Sequence, residues 1–170
     1  LHHAAPTLEL SLVPETWRAA PLVHLGPVAQ EIDPKIVWGF PSAFIGVTPQ
    51  GWLRSWDAAG RVQPVEWPEA GVVLSKANAA VLSIEDVQHN EDWIEELLGS
   101  IRILVITAGA AGARVYWNGD VRYFRAPAVT EVDPTGAGDI FATAFFVRLF
   151  NTRDPWEAAR FATQIAAISV

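Results

Sequence analysis

Glu131-Val132-Asp133-Pro134-Thr135-Gly136-Ala137-Gly138-Asp139-Ile140-Phe141 changes character twice within its length. Extended, proline-restricted chain gives way to small residues and then to an apolar run. Pro134 fixes its own φ and biases Asp133 towards an extended conformation, while Gly136 and Gly138 permit close approaches that a Cβ would block. The pattern reads as a tight turn opening a helix. The N–H groups of a first helical turn lack intrahelical acceptors and lie at the positive end of the helix dipole, so they suit an anion such as phosphate. Asp139 beside that anion is electrostatically odd unless it has a chemical task there. A carboxylate next to a transferring phosphoryl group can accept the proton of an attacking hydroxyl. Two other readings of the same residues stay open. One is a plain loop-to-helix start, where an acid in the first turn is favoured by the dipole. The other is a fragment of a dinucleotide fingerprint, with Phe141 where the third glycine belongs. No P-loop pattern occurs in the chain.

Upstream, residues 101–106 (Ile-Arg-Ile-Leu-Val-Ile) carry the strongest strand signal and read as a central strand. Thr107-Ala108-Gly109-Ala110-Ala111-Gly112 follows, with two glycines three apart that let backbone N–H groups approach a ligand. Asn118-Gly119 then reads as a hairpin turn. Downstream, residues 140–150 read as a helix buried on most sides, and Asp154-Pro155 as the cap and first turn of a last, mainly apolar helix.

Earlier in the chain, residues 8–13 and 71–75 read as strands, residues 43–47 as a buried strand and residues 52–57 as a helical turn. Residues 22–28 suit a buried strand end containing His24, read as a satisfied core or crevice histidine rather than a ligand. Residues 48–51 are either an ordinary loop or part of a site beyond a strand's C-terminal end. Ser83-Ile84-Glu85-Asp86 fits a helix N-cap with acids in the first turn, and Trp93, Ile94, Leu97 and Leu98 form an apolar helical stripe. Strands alternating with helices point to a layered α/β fold with a mostly parallel sheet.

The stretch Asp133 to Asp139 resembles the C-terminal signature of the ribokinase-like (PfkB) carbohydrate kinases, with Pro134 in place of the usual Thr. Residues 107–112 resemble that family's Thr-x-Gly-x-x-Gly nucleotide loop. The resemblance implies a ribokinase-like three-layer sandwich with a mostly parallel central sheet flanked by helices. It implies ATP-dependent phosphorylation of a hydroxyl on a sugar or polyol, with Mg2+ accompanying ATP. Asp139 would be the general base, and the Gly136, Ala137 and Gly138 amides the anion hole. Thr107, Gly109 and Gly112 would line the nucleotide, and Asp133 and Thr135 match positions that bind K+ in potassium-dependent relatives. Asn78 matches the Asn of an Asn-x-x-Glu element near the nucleotide phosphates, but Val81 occupies the Glu position. Magnesium is then organised by another carboxylate, or the element lies a few residues away, or catalysis is impaired and the chain is a nucleotide-binding regulatory module. Gln50-Gly51-x-Leu53-Arg54 and Tyr116 look most like the inositol-kinase branch. The resemblance covers roughly residues 70–170 and leaves a homodimer open.

With 170 residues and 51% hydrophobic content, the chain can bury one sizeable core, and residues 1–170 are expected to form one domain. A net charge of −7 without a Lys/Arg cluster disfavours nucleic acid and acidic membranes as partners. The absence of an 18-residue apolar run makes a soluble, cytoplasmic protein the expectation. The absence of Cys excludes disulfides and thiolate metal sites. Met is absent as well, and the family's N-terminal Gly-Gly element, acceptor-binding Asp and lid strands are not recognisable, so the domain is expected to be incomplete. His2-His3 reads equally as native sequence or as the remnant of a tag.

Overall fold

Apolar runs and helical stripes alternate along residues 4–170, which the computed structural model describes; the His2-His3 pair lies outside them. The order is β1 (Leu22–Leu25), β2 (Phe44–Val47), β3 (Arg54–Trp56), β4 (Val62–Pro64), α1 (Ala70–Lys76) and β5 (Ala79–Ser83). Then come α2 (Glu91–Leu98), β6 (Ile103–Thr107), β7 (Ala113–Trp117), β8 (Asp120–Phe124), α3 (Ala137–Thr152) and α4 (Pro155–Ile168). Six strands form one sheet in the order β1-β2-β5-β6-β7-β8. The pairings from β1 to β6 are parallel, and the β7–β8 hairpin adds an antiparallel edge through Asn118-Gly119, both at positive φ.

Period-two alternation divides the sheet's side chains between two cores. On β6, Leu104 and Ile106 face a cluster with Val37, Leu53, Leu74 and Ile94, which belong to the 3-10 segments, α1 and α2. Val105 faces the opposite cluster, built from Phe141, Phe145, Phe146, Ala158 and Ala162 of α3 and α4. Helices therefore cover both faces, giving the three-layer α/β sandwich. α3 and α4 meet at an abrupt corner. Arg153 takes a left-handed conformation, and Asp154 caps α4 by accepting the Trp156 and Glu157 N–H groups at 2.8 and 3.2 Å. Arg148 and Glu157 pair across the corner. Among the described residues, no helix is long and apolar enough to cross a membrane.

Four local expectations are corrected, the first being the cap at Ser83, which ends β5 while Asn90 caps α2 by accepting the Trp93 N–H. Residues 71–75 lie in α1, because Ala70, Val73, Leu74 and Ala77 form a helical stripe on the core while Val72 points outward. The strand is instead the next segment, β5. Residues 8–13 make only one bridge, Leu8 to Ile32, and then turn as a 3-10 segment at Leu10–Leu12. Without a neighbouring strand to extend the ladder, alternation alone does not hold an extended chain. Within 52–57, a 3-10 turn at Pro49–Leu53 leads into β3, which pairs with β4 around a turn closed by Asp57.

Candidate active site

Gly136, the N-cap of α3, sits at φ +82°, a left-handed conformation open to glycine and strained for other residues. No side chain caps this helix. The Ala137 N–H donates to the Pro134 carbonyl and the Ile140 N–H to the Gly136 carbonyl. Among the described residues, the Gly138 and Asp139 N–H groups have no protein acceptor. A Cβ at Gly138 would meet nothing within 4 Å, so the helix start is not plugged. Asp133 stiffens the approach by accepting the Thr135 N–H at 2.9 Å. Hydrogen bonds from the Thr135 hydroxyl and amide hold the Asp133 carboxyl below its ordinary range.

The facing wall comes from the loop after β6. Gly109 and Gly112 take positive φ, and a Cβ on Gly112 would overlap the Phe124 carbonyl oxygen. The Ala111 and Gly112 N–H groups close back on Ala108 and Gly109. Thr107, Gly109 and Gly112 line a cavity of about 420 Å³ together with Ala137 and Gly138. Ala126, Pro127, Val129, Phe141, Ala166 and Val170 complete a largely apolar lining. Two motifs separated by a hairpin thus meet across one space.

Asp139 does not line that cavity. Its side is exposed, and its charge acts on His24 of β1 across the helix start. One edge of the otherwise exposed His24 residue packs against Phe146, and the desolvation of the ring there pushes its pKa below the ordinary value while the charge of Asp139 pulls it up. The backbone of residues 138 and 139 therefore separates two regions, the cavity on the Gly138 side and the ends of β1 and β2 on the Asp139 side.

Asn78 is not brought to this site. It precedes β5 at the strand's opposite end, where its side-chain oxygen accepts the Ile45 N–H at 2.7 Å and its own N–H reaches the Ile45 carbonyl. Val81 belongs to the core against α3 and α4, where an unpaired Glu would carry a steep desolvation cost. Past the C-terminal end of β5, where Glu85 is bonded to the Ser83 hydroxyl, the buried carboxylate is Asp86. Its side chain is only 7% exposed and is held by Arg54 at 3.5 Å, by Gln50 Nε2 at 3.3 Å and by the Ser83 N–H at 3.0 Å. Ser83 pairs with Thr107 across β5 and β6, so Asp86 sits one strand away from the loop that follows β6. The Ser83-x-x-Asp86 spacing was the available signal, legible once residues 79–83 are read as the strand. Among the described residues no three acids or histidines gather as a metal cage. A divalent ion here would draw ligands from phosphate and water, as magnesium commonly does.

Residues 68–170 match the pfkB family carbohydrate kinase pattern. The chain belongs to the pfkB family. It is 30% identical over 136 residues to 2-dehydro-3-deoxygluconokinase of Thermoproteus tenax, covering 69% of this chain and 40% of that protein. It is 24% identical over 151 residues to fructokinase of Escherichia coli, covering 80% and 48% respectively. The chain thus spans less than half the length of these curated relatives. Its fold matches a pyrophosphate-dependent kinase in the ribokinase family complexed with a pyrophosphate analog and myo-inositol (TM-score 0.80, 17% identity, 98% of this chain and 63% of that one). It also matches ribokinase from Thermotoga maritima (TM-score 0.73, 20% identity, 97% and 55%). The pfkB match begins at Pro68, yet β1 and β2 belong to the same sheet as the matched region.

Proposed function

We propose that this pfkB-family chain supplies the donor site and catalytic base of a kinase that transfers the γ-phosphoryl group of ATP to a hydroxyl of a sugar or polyol. The observation that carries the reading is the meeting of Gly138 with Thr107, Gly109 and Gly112 around one cavity, with Asp139 exposed on the far side of the helix start. The apolar walls from Pro127, Val129 and Ala166 suit the faces of an adenine ring, which favours ATP over a bare pyrophosphate donor.

In the proposed reaction, Asp139 takes the proton of the acceptor hydroxyl as its oxygen forms a bond to the γ-phosphorus. The bond from that phosphorus to the β–γ bridging oxygen breaks, and ADP leaves. The unpartnered Gly138 and Asp139 N–H groups, at the turn set by Gly136 and Ala137, receive the phosphoryl oxygens as their charge shifts. Magnesium bound with the nucleotide would neutralise phosphate charge, with Asp86 a carboxylate held in place by Arg54, Gln50 and the Ser83 N–H beyond the neighbouring strand. The Asp133–Thr135 turn is the place for a monovalent cation such as K+. Val81 gives no ground for a catalytically impaired module, because its side chain is a core residue. The acceptor class follows the sugar and polyol kinases that the chain resembles, and the Gln50 to Arg54 motif favours an inositol-type ring.

Asp139→Asn in the full-length protein tests the reading. ADP release with a responsive acceptor is expected to fall about 10²–10⁴-fold, while the thermal shift produced by ATP and Mg2+ is retained. Turnover at the wild-type rate would remove Asp139 from the mechanism.

A further inference from the structure

The phosphoryl chemistry leaves one polar pair unused. β1 and β2 run parallel with His24 opposite Gly46, and beyond them His24 Nε2 lies 2.9 Å from Thr48 Oγ1. The imidazole meets the Phe146 ring edge-on, with centroids 5.0 Å apart. Phe146 follows Asp139 by about two helical turns, so the two lie on one side of α3. Gly26 keeps the pair uncovered: a Cβ there would stand 3.0 Å from Thr48 Oγ1 and 3.4 Å from His24 Nε2. His24 is exposed, and among the described residues its Nδ1 has no protein partner. Asp139 is near enough for its charge to act on the imidazole. In either tautomer, a neutral imidazole bonded to a hydroxyl leaves one donor and one acceptor free, one at Nδ1 and the other at the threonine oxygen. That is the complement of a ligand hydroxyl, which also donates and accepts. An anion is disfavoured there, since the charge of the Asp139 carboxylate reaches the imidazole.

We propose that His24 and Thr48 form a hydroxyl-binding dyad that takes a second hydroxyl of the acceptor, beside the hydroxyl that Asp139 deprotonates. The dyad selects a polyhydroxylated acceptor over a simple alcohol, and it rests on the kinase reading of Asp139. Its role is to bind and orient, the proton of the reacting hydroxyl being assigned to Asp139.

The test uses full-length wild type, Thr48→Val and His24→Gln, with initial rates measured for a working polyol or sugar and its monodeoxy analogues. The acceptor KM is expected to rise about tenfold in each variant, as loss of one net hydrogen bond implies, with the ATP KM held within about twofold. At least one monodeoxy analogue that wild type disfavours should become as good a substrate for Thr48→Val as the parent acceptor. An unchanged acceptor KM with an unchanged ranking of analogues overturns the dyad and leaves the kinase reading standing. A wild type that turns over no acceptor overturns the kinase reading and the dyad with it. Thermal unfolding monitors folding, and should Thr48→Val fail to fold, His24→Gln decides on the same readouts.

Discussion

Gly46 and Phe146 meet with no room between them: a Cβ on Gly46 would stand 2.5 Å from the Phe146 ring. Gly46 lies in the middle of the fully buried strand β2, and Phe146 lies on α3, the helix whose first turn holds Gly138 and Asp139. This contact sets how closely α3 rides on the sheet, and therefore where its first turn stands relative to the strand ends.

Gly46→Ala is expected to lower stability by about 1–3 kcal/mol, the usual cost of forcing a methyl into a packed core. At this chain length that is a fall in Tm of roughly 2–4 °C for each kcal/mol. Because the helix must move, ADP release should fall as well, although the substitution touches no substrate. Calorimetry and a coupled ADP assay on the same samples check both, and a stable variant with full activity would show that α3 is not seated by this contact.

Gly112→Ala strains the loop in two ways, through its φ of +97° and through overlap with the Phe124 carbonyl. A non-glycine residue in such a conformation costs about 1–3 kcal/mol before any clash is counted. The expected result is a lower Tm together with weaker ATP binding by titration calorimetry. Gly119→Ala, also at positive φ but with nothing within 4 Å, is the control and should disturb stability alone.

Asp154→Ala removes the acceptor of two N–H groups at the start of α4. Loss of such a cap costs about 1–2 kcal/mol. Ala166 and Ala167 of α4 line the cavity proposed for the nucleotide, so ATP affinity should decline with stability. Asp154→Ser, which can still cap, is expected to recover most of both in urea unfolding and binding measurements.

The folded His24 imidazole is held below its ordinary value of 6.5, first by burial against that pull from Asp139. Between the depressed folded value and 6.5 the unfolded chain therefore binds more protons than the folded one. The contribution of the neutral ring is complete above 6.5 and is lost as pH falls through the folded value. Relative to His24→Gln, wild type should lose stability as pH is lowered from above 6.5, with no divergence at higher pH. Urea midpoints for both proteins across a pH series give the answer, and a pH-independent difference would contradict it.

Much of this protein is legible in one dimension. Residues 131–141 announce a turn, an anion-receptive helix start and an acid by local chemistry alone, since φ restriction, missing Cβ atoms and unpaired N–H groups need no distant partner. The hairpin at Asn118-Gly119, the cap at Asp154 and the central strand β6 are local in the same sense. Pairing decided the rest. Residues 71–75 and 79–83 carry similar apolar content, and only the vacancy between β2 and β6 made the second a strand and left the first to pack as a helix. With that assignment Val81 became a core residue, Asn78 moved to the sheet's far end, and Asp86 emerged as the carboxylate held by Arg54 and Gln50. The pairing of His24 with Thr48, and the reach of the Asp139 charge to His24, likewise arise from strands and a helix far apart in the chain. Composition and spacing specify what each segment can do, because those preferences are properties of a few neighbouring bonds; which side chains share a site depends on sheet order and helix seating, which no single segment contains.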